Sequence, residues 1–359
     1  MRLNRGARIA FPAHFALFAL FAFVLAGCGG SGSGQSSGGV PNRVVIAVGG
    51  NYLSSYASWW AAHENLAEIE RKYGTTISYE PFAKGSDTIG ALAGGTAQVC
   101  LCATVTALTA AHAGKDLKYV GNISLGSGLL AVGAKKYQAA NGTDLASFAD
   151  KKVGFTAPGS LSQVTARKAM TAAGVDWDKT KQVALGSGVA FAPALMTGRA
   201  DLITASIPET MKTIDEGAGY LVTDLNDPRS AEPLIGQVLG MGVVVPNDFT
   251  QQYPELTQDL VSALVESLAQ LRGKSDGKAV YSLMPDEFKK VNPQDGFLRQ
   301  WKYLSGSFAT ADGGFTDKAI TDTIALAGLD PKSIPEGFFD KRYVDKAYST
   351  LPIDRPAAG

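Results

Sequence analysis

Ala194-Leu195-Met196-Thr197-Gly198-Arg199-Ala200-Asp201-Leu202-Ile203-Thr204-Ala205-Ser206-Ile207-Pro208-Glu209 decides the fold, because the chain carries a second version of it. At an offset of 103 residues, Ala91-Leu92-Ala93-Gly94-Gly95-Thr96-Ala97-Gln98-Val99-Cys100-Leu101-Cys102 reads in the same register. Ala91 and Leu92 stand opposite Ala194 and Leu195, Gly95 opposite Gly198 and, upstream, Gly85 opposite Gly188. Each copy reads as a helix ending on Ala-Leu, a glycine in the left-handed C-terminal cap, and a short apolar run that makes a buried strand. The offset is far longer than a solenoid repeat, so two similar α/β lobes are expected.

Outward from these copies the same pattern continues. Arg43 to Val48 reads as a strand running into the turn Gly49-Gly50-Asn51, and a helix carrying Tyr56, Trp59, Trp60 and His63 follows and closes on Gly74. Thr76 to Phe82 is a second strand, with the turn Gly85-Ser86-Asp87 behind it. In the second lobe Lys152 to Thr156 is a strand, Ala157 to Ser162 a turn with a capping serine, Val164 to Ala173 a helix, Gln182 to Leu185 a strand and Gly186-Ser187-Gly188 a turn. Strand, small-residue turn, helix, strand implies parallel sheets with right-handed crossovers. Met241 to Val245 comes too late for the second lobe's plan and reads as a return to the first. From Pro254 onward the apolar spacing turns helical, over 256–272, 278–283, 297–304 and 316–329, and these helices are expected to pack on the first lobe. The fold class is therefore α/β, two lobes each built on a mainly parallel sheet flanked by helices, with extra C-terminal helices.

The N-terminus is of a different kind. Arg2, Arg5 and Arg8 precede an apolar stretch from Phe15 to Leu25 and small residues, the three parts of an export signal, too short for a comfortable membrane span. Leu25-Ala26-Gly27-Cys28 resembles a lipobox, in which Cys28 receives a diacylglyceryl group and becomes the mature N-terminus; an ordinary signal peptide with a chance cysteine is the alternative. The Gly/Ser-rich run after it cannot pack and reads as a tether. The expected division is 1–27 signal peptide, 28–42 tether, 43–130 with 241–350 lobe 1, and 131–240 lobe 2. The chain has 33 basic and 33 acidic residues, so loss of the basic signal leaves it mildly acidic, with no electrostatic footprint for nucleic acid. Cys100 and Cys102 point to one face of a predicted strand and read as core residues; with His63 and His112 the only other soft ligands after the signal and its Cys28, no metal or redox site is expected.

Open parallel sheets bind ligands beyond the carboxyl ends of their strands. The turns there are Gly49 to Ser55, Gly85 to Asp87, Ala103 to Thr106, Ala157 to Ser162, Gly186 to Gly188 and Ser206 to Glu209, nearly all Gly, Ser, Thr or Asn. Small residues admit a ligand to backbone N–H groups at helix N-termini. The candidate ligand-binding set is Asn51, Tyr52, Ser54, Tyr56, Gly85, Ser86, Thr104, Ser160, Ser162, Ser187, Gly188, Ser206 and Glu209. Each serine could equally be a helix cap with no ligand, and Glu209 could pair with a cationic or N–H-donating ligand or simply open its helix. Tyr52, Tyr56, Trp59 and Trp60 could line an apolar wall or pack in the core. Gly159 to Ser162 is not a nucleophile elbow, no Walker loop occurs, and neither histidine sits in a metalloprotease pattern, so no catalytic residue and no cofactor are assigned.

From about Arg43 to Tyr348 the chain resembles the extracytoplasmic substrate-binding proteins of ABC importers in the nitrate/sulfonate/taurine (NitT/TauT) group, which also contains binders of pyrimidine vitamin precursors. The resemblance is carried by Ala91-Leu92 with Gly95, Val153-Gly154 with Pro158-Gly159-Ser160, Ala194-Leu195 with Gly198 and Ala200-Asp201, Pro208-Glu209, Gly219-Tyr220-Leu221, and Phe338-Phe339-Asp340 with Ala347. It implies a type II periplasmic-binding fold whose two crossing strands fall near Leu129 to Val132 and Gly240 to Val245. It further implies a small-molecule ligand (a sulfonate, nitrate, a pyrimidine or another small organic solute), an ABC permease and ATPase as partners, and a monomer lipid-anchored on the extracytoplasmic face of the cell membrane. The alternatives on the same fold are a pyrimidine-precursor-type enzyme, which Cys100-Leu101-Cys102 echoes poorly, and a receptor for a non-ABC importer or a sensor. Two departures stand out: Gln98 occupies a position usually held by an acid, and Lys84 is the only cation close to the predicted cleft turns.

Overall fold

The 103-residue offset survives folding. The strands Val99–Ala103 and Leu202–Ser206 begin and end in step, and so do the helices that follow them, Thr104–His112 and Ile207–Asp215. Gly95 and Gly198 both have φ of 71°, in the left-handed region that favours glycine, and each ends the helix ahead of its strand. These observations come from a computed structural model that describes residues 39–49, 63–82, 85–186, 188–272, 274, 276–284, 286–309 and 311–356. The export signal, Cys28, most of the tether, Asn51, Tyr52, Ser54, Tyr56, Trp59, Trp60, Lys84 and Ser187 lie outside the described residues.

In chain order, the first group of elements is β1 (Arg43–Gly49), α1 (His63–Tyr73), β2 (Thr76–Phe82), α2 (Gly85–Ala93), β3 (Val99–Ala103), α3 (Thr104–His112) and β4 (Leu117–Leu125). The second is β5 (Leu129–Ala134), β6 (Lys152–Phe155), α4 (Leu161–Ala172), β7 (Lys181–Ala184), α5 (Phe191–Thr197), β8 (Leu202–Ser206), α6 (Ile207–Asp215) and β9 (Gly219–Asp224). The chain then runs through β10 (Leu239–Pro246) into α7 (Pro254–Arg272), α8 (Gln294–Ala309), α9 (Asp317–Ala327) and α10 (Arg342–Thr350). Two five-stranded sheets result, ordered β2-β1-β3-β10-β4 and β7-β6-β8-β5-β9. In each, the first three strands are parallel and the fourth is antiparallel to both neighbours. That fourth strand enters from the other sheet: β5 follows β4, and β10 follows β9. Met241 to Val245, read as a return to the first lobe, lies within β10.

One pair of side chains shows why the copies tolerate different residues. Gln98 Oε1 accepts the Val45 N–H (2.8 Å) and its own N–H donates to the Val45 carbonyl (2.9 Å). Asp201 Oδ2 accepts the Lys152 N–H (3.1 Å) and its N–H donates to the Lys152 carbonyl (2.8 Å). Both residues lock the strand they precede to the start of the neighbouring strand. The position needs an acceptor, which an amide supplies as well as a carboxylate. Asp201 adds Lys136 at 3.3 Å and the Tyr137 hydroxyl at 3.1 Å; burial opposes its ionisation, yet these donors hold it below the usual carboxylate range.

The two crossings, Leu125 to Leu129 and Asp224 to Leu239, are tied to each other. Gly126 N–H donates to the Val238 carbonyl (2.8 Å), Ser127 Oγ to the Leu225 carbonyl (2.7 Å) and Gly128 N–H to Asn226 Oδ1 (2.9 Å). Asn226 is buried and reaches on into α8, donating to the Tyr303 carbonyl and accepting from Ser307 Oγ, both at 2.9 Å. On the second crossing, α9 supplies Asp322 Oδ2 to the Gln237 N–H (2.9 Å) and Thr323 Oγ1 to the Leu239 N–H (3.0 Å).

The C-terminal helices therefore do more than the expected packing on the first lobe. α7, α8 and α10 cover β4, but α8 also meets α6, where Arg299 lies 3.3 Å from Asp215, and α9 lies between α3 and α4. Helical periodicity tells which face of a helix is apolar, not which of two sheets supplies its partner. Among the described residues no helix is long and apolar enough to cross a membrane.

The first sheet closes tightly where β10 passes Tyr119. A Cβ on Gly242 would fall 2.0 Å from Tyr119 Cε2, and that ring is fully buried against Phe315, Phe338 and Phe339. Gly242→Ala is expected to lower stability by about 3 kcal/mol through overpacking, read as a lower urea midpoint.

Candidate functional site

At the carboxyl ends of the parallel strands, the candidate turns gather into two groups, one on each sheet. On the first sheet, Gly49 and Gly85 approach so closely that a Cβ on Gly49 would lie 3.3 Å from Gly85 Cα, and a Cβ on Gly85 would lie 3.5 Å from Thr106 Oγ1. The end of β1, the start of α2 and the first turn of α3 meet here because nothing larger than hydrogen separates Gly49 from Gly85. Gly85 is half-buried and Ser86 exposed, its hydroxyl 3.4 Å from Asp87. Thr104 is placed differently. Its side chain is fully buried, with Oγ1 3.1 Å from the Tyr119 hydroxyl, which donates to Asn122 Oδ1 at 2.8 Å. The half-buried hydroxyl beside Gly85 belongs to Thr106. Both threonines stood in the predicted turn, and only the direction in which α3 leaves β3 separates them.

On the second sheet the small residues form a connected chain of donors and acceptors. Ser160 caps α4, accepting the Gln163 N–H (3.3 Å), and its hydroxyl lies 2.9 Å from that of Ser162. Ser162 is buried and accepts the Thr156 N–H (3.0 Å). Gly186 N–H donates to the Thr156 carbonyl (2.9 Å), which brings the turn after β7 against the turn after β6. Gly188 then packs on Glu209: a Cβ there would fall 2.5 Å from Glu209 Cγ.

Glu209 and Ser206 form a capping box at the start of α6. The carboxylate oxygen Oε2 accepts the Ser206 hydroxyl (2.7 Å) and the Ser206 N–H (3.3 Å), and the Gly188 N–H donates to the same group. Burial pushes the Glu209 pKa up, and these neutral donors pull the other way without cancelling it. Asp224, at the end of β9, is raised by burial in the same manner while accepting the Asn226 and Asp227 N–H groups at 2.8 and 3.0 Å.

Cys100 and Cys102 are free thiols, fully buried in the sheet. Among the described residues no group of His, Cys, Asp and Glu can hold a metal ion. The site can offer hydroxyls, backbone N–H groups and a carboxylate, a set suited to holding a polar solute.

A family model described as NMT1/THI5 like matches residues 71–275. The chain belongs to that family. Solved structures agree on the architecture. A ligand-binding component of an ABC-type import system from Staphylococcus aureus, solved with zinc bound, superposes with a TM-score of 0.69 at 14% identity over 86% of this chain and 99% of that one. The periplasmic aliphatic sulphonate binding protein SsuA from Escherichia coli gives 0.63 at 16% identity, over 83% and 95% of the two chains. The periplasmic nitrate-binding protein NrtA from Synechocystis PCC 6803 gives 0.60 at 13% identity, over 87% and 99%. At these identities the likeness is one of fold, the periplasmic-binding-protein fold. No curated protein matches the chain by sequence.

The raised Glu209 pKa has a sign that can be measured. The folded state holds its proton to higher pH than the unfolded chain, so this group's contribution to stability falls as pH rises from the ordinary carboxylate range through the raised value. Glu209→Gln, which keeps a capping-box residue, is expected to remove that decline, read as a smaller loss of urea midpoint between pH 4 and pH 7 than in the parent (on the order of the carboxylate titration range).

Proposed function

We propose that the chain is an extracytoplasmic solute-binding lipoprotein, which captures a small molecule between its two lobes and delivers it to the permease of an ABC importer. The observation that carries this reading is the matched pair of sheets joined by two mutually bonded crossings, with small-residue turns at the strand ends of both. Family membership and neighbours named as ABC import, sulphonate-binding and nitrate-binding proteins support it. The lobes are the segments 43–130 with 241–350 and 131–240. The candidate set named from the sequence supplies the ligand contacts, with Thr106 in place of the buried Thr104.

The mechanism is a two-state closure. A solute held by one lobe is bridged by the other only in the closed form, so its contacts with the second lobe set how far the equilibrium shifts. The closed form is the one the permease accepts. Both thiols, Cys100 and Cys102, are fully buried in the first sheet.

The test is a panel of sulfonates, nitrate, pyrimidines, flavins and amines offered to the full chain in detergent. A ligand is expected to raise the thermal midpoint by mass action, worth about 2.7 kcal/mol at a hundredfold excess over Kd, and to shrink the radius of gyration in X-ray scattering. A panel with no effect on either counts against solute capture.

Attachment to the membrane is assigned to Cys28. Cells grown with labelled palmitate are expected to yield labelled protein in the membrane fraction, and Cys28→Ala to yield neither; equal labelling of the variant would remove the anchor from the proposal.

A further inference from the structure

The helix α8 has two faces that are packed in unlike ways. One is a stripe of Phe297, Trp301, Leu304 and Phe308, all buried, at the spacing of a single helix side. Trp301 stacks between Phe297 and Phe308, with ring centroids 5.7 and 5.4 Å away and planes within 8° and 13° of parallel. A Cβ on Gly277 would fall 2.9 Å from Trp301 Cδ1, so the helix Gly277–Leu283 sits close on the same stripe. With α7 and β4 also against it, α8 is held to the first lobe by a close-packed surface that leaves no room for a slide.

The other face meets α6 of the second lobe across a groove of about 280 Å³, with Met211 and Lys212 on one wall and Gly296 and Gln300 on the other. A Cβ on Gly296 would meet nothing within 4 Å. Arg299 reaches across to Asp215 at 3.3 Å, both side chains exposed, whereas Lys212 and Glu216 pair along α6 itself at 3.8 Å. The same helix is bonded to the second crossing. Arg299 stands one turn, about 6 Å along the axis, ahead of Tyr303, whose carbonyl accepts the Asn226 amide. A packed helix does not bend over one turn, so a rotation of the second lobe about the crossings changes the spacing of α6 and α8, on the side where the packing is slack.

We infer that α8 is a strut that sets the angle between the lobes: it moves with the first lobe, the groove against α6 takes up the second lobe's rotation, and the Arg299–Asp215 pair holds the lobe angle of this structure. The inference rests on the two-state closure proposed above and adds to it a control point outside the cleft. Only the binding-competent fraction of the protein takes up solute, so a shift in that fraction rescales the apparent affinity without any contact to the ligand.

The test needs no ligand. Spin labels at Lys115→Cys and Lys181→Cys, exposed positions on the first and second lobes, report the interlobe distance by double electron–electron resonance on the full chain in detergent, with the chain lacking the two added cysteines as the labelling blank. Arg299→Asp, which sets a like charge against Asp215, is expected to move population away from the parent's main distance by up to about fivefold, the range of an exposed ion pair. Combining it with Asp215→Arg is expected to restore the parent's distribution. Gly296→Trp, which fills the groove, is expected to shift or narrow the distribution. Urea midpoints equal to the parent's show that the variants are folded, and Arg299→Ala stands in for Arg299→Asp if the latter is not. A folded Arg299 variant with the parent's distribution overturns the strut's control of the angle. A shift that the charge swap does not reverse overturns the ion pair's part in it, and a folded Gly296→Trp with the parent's distribution overturns the groove as the place of movement. None of these outcomes bears on solute capture, which the panel above decides.

Discussion

Everything in this molecule depends on two strands of chain passing each other in the narrow space between the sheets. The crossings are held by backbone bonds and by the buried amide of Asn226, and they approach so closely that a Cβ on Gly240 would lie 2.1 Å from the Gly126 carbonyl oxygen. A joint this tight fixes where the sheets sit at their common edge while leaving the strand ends, several residues away, to the turns. The same joint is anchored from outside by α8 through Tyr303 and Ser307 and by α9 through Asp322 and Thr323. The C-terminal third of the chain is thus bonded to both crossings, and its helices rest on elements of both sheets.

Duplication explains why the sheets need so little sequence in common. What each copy must supply is a glycine that takes positive φ, an apolar run, and an acceptor for the N–H at the start of the neighbouring strand. Gln98 and Asp201 meet the last requirement with different chemistry. The amide in the first copy is a substitution the backbone does not notice, because the bond it makes needs a lone pair and not a charge. Asp201 does more only because Lys136 and Tyr137 happen to reach it.

Polar groups near the strand ends fall into two kinds. Thr104, Tyr119 and Asn122 form a buried network under α3, a matter of packing, whereas Thr106, Ser160 and Glu209 keep part of their surface. Glu209 carries a cost that its capping role does not require, since a neutral Gln would cap α6 as well. Groups kept ionisable against burial are where binding chemistry concentrates.

The sequence by itself determined the repeated unit of helix, glycine cap, strand and turn, together with the return of Met241 to Val245 to the first sheet. These follow from period, capping and length, which act over a few residues. Family resemblance was equally plain in the order of the motifs. Tertiary structure alone decided that Thr104 turns inward while Thr106 stays half-buried, that α8 and α9 bridge the lobes, and that Gly188 meets Glu209 across a gap of some twenty residues. Such outcomes depend on where distant elements dock, and local pattern carries no record of the neighbour a side chain will meet.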